Sequence, residues 1–169
     1  RSRHMNDDVT NIAPGLAFLP AQKKLNLWNL FAQDEFQVAS KVKLTMGLKA
    51  EHNEYTGLEL LPSVRLAWEP AANHLVWAAA SRTARTPSRI DRDVFVPGVP
   101  PFTVLNGGSN FDSEVARVYE LGLRGQPVPA ANYSVTLYHH DFDKLRSVDI
   151  TPTGPTFNNN YEGKVNGLA

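Results

Sequence analysis

The chain has 169 residues, with 17 basic and 17 acidic side chains, no formal net charge and no cysteine. This balance argues against a nucleic-acid binder, which usually carries the basic excess that phosphate neutralisation requires. The absence of cysteine excludes disulfide frameworks, thiolate metal sites and cysteine nucleophiles.

Residues 1–5, "RSRHM", read as a vector remnant ending in an initiator-type Met5, and residues 6–25 as an irregular lead-in. From residue 26 a period of two takes over. "NLWNLFAQDEFQV" (26–38) alternates loosely, and "KVKLTMGLKAEH" (41–52) alternates cleanly. In the latter Val42, Leu44, Met46, Leu48 and Ala50 share one face, while Lys41, Lys43, Thr45, Lys49 and Glu51 share the other. "LELLPSVRLAWE" (58–69), "HLVWAAASR" (74–82), "VARVYELGLRG" (115–125), "NYSVTLYHHDFDKLRSV" (132–148) and "NYEGKVNGLA" (160–169) continue the pattern, giving about seven strands. Helical spacing is confined to one turn at "TPSRIDRD", where Thr86 could cap and Pro87 occupy the first helical position.

The links alternate in length. "ASK" (39–41), "PAAN" (70–73) and "PVPAAN" (127–132) are tight, whereas "NEYTG" (53–57), 83–114 and 149–159 are longer. In an antiparallel meander this sorts the short turns to one end and the long loops to the other. Outer-membrane barrels have that asymmetry, and a soluble sandwich has no need of it. Ten residues at about 3.3 Å, tilted near 45°, cover roughly 23 Å, close to the ~25 Å apolar band of such barrels. Phe36, Trp68 and Tyr133 fall near short turns, and Tyr55 and Phe142 near long loops, as interface aromatics would. The mean hydropathy of −0.31 suits strands with a single lipid face. The fold expected is all-β: an antiparallel up-and-down meander forming part of a transmembrane β-barrel.

Three blocks resemble the TonB-dependent outer-membrane receptors of Gram-negative bacteria. They are "LFAQDEF" (30–36), "WAAASRTARTPSRIDRD" (77–93) and "LNGGSNFDSEVARVYELGLRG" (105–125), followed by "LYHHDFDKLRSV" (137–148). The third departs from the family pattern at Ser109–Glu114, where proline is usual. The resemblance implies that residues 26–169 are a segment of a plugged barrel of about 22 strands. It further implies uptake of a ferric siderophore, or a corrinoid of similar bulk, driven by TonB through a plug outside this segment. A partial wall of this kind is expected to self-associate in water through its open edges and bare apolar face. The rival from another class is a soluble β-sandwich binding module.

Arg85, Arg89 and Arg92, with Asn106 and Asn110, are the candidate ligand contacts in the outer loops, since guanidinium groups match anionic ligands. The structural alternative pairs the arginines with Asp91, Asp93 and Glu114. His139, Asp141 and Asp143 share a strand face, but ~6.6 Å between alternate residues is loose for one ion, so no metal is assigned. No Gly-rich phosphate loop or nucleophile elbow occurs, "NGGSN" (106–110) reads as a turn, and neither enzyme activity nor a cofactor is expected.

Overall fold

A computed structural model describes residues 1–10 and 15–169. The chain forms strands β1 (Ser2–Asp8), β2 (Ala17–Phe18), β3 (Gln22–Ala39), β4 (Val42–Asn53), β5 (Gly57–Trp68) and β6 (His74–Arg85). A one-turn helix α1 (Arg89–Asp93) precedes β7 (Val94–Pro97), β8 (Thr103–Asn106), β9 (Glu114–Val128), β10 (Ala131–Thr151) and β11 (Gly154–Leu168). All eleven strands belong to one curled half-barrel sheet, ordered β1-β3-β4-β5-β6-β9-β10-β11-β8-β7-β2. The seven strands expected from the period of two are all present, as β3–β6 and β9–β11.

Four short strands add to them. Ser2–Asp8 pairs along its whole length with β3, so Ser2–Met5 of the stretch set aside as a remnant lie within the sheet. Phe18 pairs with Val94 inside the stretch read as irregular. Thr156 pairs parallel with Asn106, a single departure from antiparallel order among the described residues. Strands of two to four residues bounded by prolines carry too few positions for a period to show. The link at 149–159 also shortens, because β10 and β11 run on as a hairpin to Thr151 and Gly154.

The register separates two faces. Phe36, Leu44, Leu66, Ala78, Leu121, Leu137 and Leu168 form one continuous row across seven strands. One residue along, Glu35, Thr45, Arg65, Ala79, Glu120 and Tyr138 form the row on the opposite face. Met46, Leu48, Leu66, Leu121 and Leu123 are each 40–51% exposed, so the apolar face has no protein partner. The buried aliphatic and aromatic side chains are only Val94, Phe111 and Val115 among the described residues, which rules out the shared core of a β-sandwich. Trp68, Phe36 and Tyr133 lie on the apolar face near the short turns, as expected, but Tyr55 and Phe142 do not join it. Tyr55 turns into the loops, and Phe142 meets His140 edge-to-face on the opposite face.

This separation carries a direct test. Against a bilayer, Met46→Lys is expected to cost about 2–4 kcal/mol of folding free energy. Thr45→Lys, between Glu35 and Arg65 on the polar face, is expected to be tolerated. Urea unfolding in lipid vesicles measures both, and equal losses would contradict the facing.

Candidate functional site at the loop end

The loop between β6 and β9 folds back on the sheet around α1. Ser88 caps the helix: its side chain accepts from the Asp91 backbone N–H, and the Asp91 carboxylate accepts from the Ser88 N–H. The cap therefore lies two residues beyond Thr86, and Pro87 precedes the helix instead of opening it. The reciprocal Ser88-x-x-Asp91 pair outcompetes Thr86 because it satisfies donors at both positions.

Asp91 is fully buried and anchors the cluster. It accepts from Arg85 at 2.9 Å, from the Ser88 hydroxyl at 2.8 Å and from Arg146 at 3.3 Å. Arg85 also donates to Glu114, across the β6–β9 pair. Arg89 donates to Asp93 at 3.1 Å and to Asp7 of β1 at 2.8 Å, and also to the carbonyls of Pro20 and Ala21. Arg92 directs its hydrogen bonds to backbone, donating to the Phe111, Ser109 and Tyr55 carbonyls, and its guanidinium lies 5.6 Å from the Tyr55 ring centre. The side chain of Asn106 donates to Thr103, and Asn110 lies exposed in the turn before Phe111. Arg85 and Arg89 thus meet Asp91, Asp93 and Glu114, the partners proposed from sequence, whereas Arg92 binds backbone carbonyls instead of an acid and Asn110 stands apart.

Several members of the cluster carry no sequence signal of their own. Asp93 also receives the Lys23 ammonium at 2.7 Å and the Tyr55 hydroxyl at 3.0 Å, from positions 70 and 38 residues away. Lys23 sits 4.3 Å from the centre of the Tyr55 ring. Phe111 is wholly buried beneath Arg85, whose guanidinium lies 5.8 Å from its ring centre. Asn159 clamps the next turn, accepting from the Asp112 N–H and donating to the carbonyls of Asp112 and Lys144. Only a non-local fold brings these groups together. Glycine closes the packing: a Cβ at Gly107 would overlap the Arg92 backbone, and one at Gly108 the Phe157 carbonyl.

The electrostatics follow. Burial pushes the Asp91 carboxyl up, but hydrogen bonds from Arg85 and Ser88 outweigh it and hold it below the usual carboxylate range. Asp112 behaves likewise, with Lys144 and the Ser113 N–H as the opposing donors. Burial and the bond to Asp93 both push the Tyr55 phenol up, so it stays a donor. A carboxylate whose folded value is depressed stabilises the cluster above its unfolded value of about 4, and that stabilisation fades as pH falls through the folded value. The protection of residues 88–112 against hydrogen exchange, corrected for the intrinsic slowing of amide exchange in acid, is therefore expected to be flat from about pH 7 to 5 and to fall below about pH 4. Protection that rises on acidification would contradict the pairing. His139 bonds Asn166 and Asp141 faces Arg117, and the described residues hold no group of three or more metal-ligating side chains.

A family model described as TonB dependent receptor-like, beta-barrel, matches residues 1–168. No curated relative matches the chain. Among solved structures, a mutant of the ferric enterobactin receptor PfeA from Pseudomonas aeruginosa superposes with a TM-score of 0.76 at 15% identity, over 99% of this chain and 28% of that one. The siderophore receptor PirA from Pseudomonas aeruginosa gives 0.73 at 21% identity, over 88% of this chain and 31% of that one. PirA from Acinetobacter baumannii gives 0.71 at 13% identity, over 88% and 25%. The chain spans less than a third of the length of these receptors, and at such identities the likeness establishes the fold.

Proposed function

Because the chain belongs to the TonB-dependent receptor-like β-barrel family of the Gram-negative outer membrane, we propose that it supplies wall strands and outer loops to a receptor importing a ferric siderophore. The observation that carries this reading is the two-faced sheet: an exposed apolar face for lipid, a polar face for the lumen, and an ion-paired loop cluster at one end. The cargo is proposed from the fold neighbours, which are ferric enterobactin and siderophore receptors. A corrinoid of similar bulk is the other cargo such a barrel admits. The energy is proposed to come from TonB acting on a plug outside residues 1–169, and the role is transport, with no bond made or broken in the cargo.

Within this reading Arg85, 45% exposed, and Asn110 are the contacts offered to an anionic chelate. Arg89, Arg92 and Asn106 fix the loops that carry them. The test expresses the full receptor containing this chain in a strain deprived of its own siderophore receptors. Saturable uptake of radio-iron as a ferric catecholate, lost on deleting TonB, is expected. Uptake of labelled cobalamin alone would move the cargo to the corrinoids, and uptake without TonB would overturn the reading.

A further inference from the structure

The apolar face carries a groove of about 720 Å³ that crosses β3, β4, β5, β6 and β9. Small or short side chains form its floor, Ala32, Pro62 and Ala80, between the larger Phe36, Met46 and Leu48. Arg82 and Arg117 stand at its β6–β9 end. These two arginines are direct cross-strand partners, an arrangement that costs free energy unless anions neutralise it. Arg82 is satisfied by Glu59 at 2.9 Å and the Leu60 carbonyl at 2.7 Å. Arg117 is half-exposed, and its one carboxylate partner among the described residues, Asp141, is 3.8 Å away. One guanidinium therefore remains with most of its hydrogen-bonding capacity, at the edge of an apolar surface.

The placement of that edge matters. On β4 the face stays apolar from Val42 to Ala50, whereas on β9 it passes from Leu121 and Tyr119 to Arg117, and on β10 from Leu137 to His139 and Asp141. The boundary of the apolar band thus crosses the rows obliquely, as tilted strands require. Arg117 sits on that boundary at the loop end, and the groove descends from it into the band. Five strands about 4.8 Å apart span about 19 Å, which at ~45° is a descent of about 13 Å. The hydrocarbon half-thickness that one acyl chain fills is ~15 Å.

We propose that this groove is a binding site for a phosphate-bearing lipid of the outer leaflet, with the phosphate on Arg117 and an acyl chain laid along Ala32, Pro62 and Ala80. Charge complementarity selects the head-to-tail direction, since the opposite end of the groove holds Asp34. The proposal depends on the apolar face meeting lipid and not on what the receptor transports.

Lipid titration of the full receptor in non-ionic detergent, read by native mass spectrometry, tests it with phosphatidylglycerol, diacylglycerol and inorganic phosphate as probes. Phosphatidylglycerol is expected to bind more tightly than diacylglycerol, and Arg117→Ala to weaken it about tenfold while leaving diacylglycerol unchanged. Ala80→Phe, which fills the floor, is expected to weaken both lipids. A phosphatidylglycerol bearing a photoreactive acyl chain is expected to label Leu48, Pro62 and Ala80 on the unmodified receptor, a result independent of how the variants fold. Equal affinity for the two lipids, full displacement by inorganic phosphate, or labelling spread evenly round the barrel would each overturn the assignment.

Discussion

Phe111→Ala is expected to lower the stability of the loop cluster by about 3–5 kcal/mol, the usual loss for a buried phenylalanine. Phe111 is the largest wholly buried side chain among the described residues, and only Val94 and Val115 accompany it as buried aliphatic side chains. Its ring lies under the Arg85 guanidinium, and its carbonyl accepts from Arg92, so the cavity would open beneath both arginines. The strands would be spared, because β3–β6 and β9–β10 hold one another through their own ladders. Two unfolding steps are therefore expected where the parent shows one, with residues 88–112 lost first in limited proteolysis. A single transition at the parent midpoint would show that the loop adds nothing to the barrel wall.

Gly108→Ala is expected to cost about 3 kcal/mol, at the upper end for an overpacked site. The obstacle is the Phe157 carbonyl of β11, which belongs to a paired strand and cannot turn away as a side chain would. Its N–H also donates to the Asp91 carbonyl at 2.8 Å, fixing the backbone from below. Gly163→Ala provides the contrast, since its nearest neighbour is Leu145 at 3.5 Å and an added methyl meets ordinary contact. Heat-induced loss of the folded band on a gel compares the two, and similar midpoints would contradict the packing described for Gly108.

The barrel wall was legible because its physics repeats every second residue. Val42 to Ala50 announces its facing within ten positions, and the register of the neighbouring strands then follows from matching faces. The loop cluster was legible only in part. Arg85, Arg89 and Arg92 stand out locally, and so do the acids beside them, because pairs such as Arg89 with Asp93 lie one helical turn apart. Lys23, Tyr55, Asp7 and Asn159 do not, since nothing near them in the chain distinguishes a partner of Arg89, Asp93 or Asp112 from any other polar surface residue. The role of Gly107 and Gly108 was half visible: a turn could be read from "NGGSN", but the backbone pressed against it could not. Strand β1 was missed for a different reason, as "SRHMNDD" has the composition of a tail and gains its order from β3.

The order of the sheet has a mechanical consequence. Its hydrogen-bonded path leads from β3 through β11 to β2, and Leu19, Pro20 and Ala21 return the chain to β3. Arg89 rivets that return to α1 and β1. The loop end is thus a hoop, while among the described residues the short-turn end of the same strands is not joined in this way. Under a pulling force on β11, the strands near the short turns would peel one rung at a time, at low load. The hoop would have to break several bonds together before any loop came free. Load entering the wall from the short-turn side would reach the mouth as one rigid rim, without pulling its loops apart one by one.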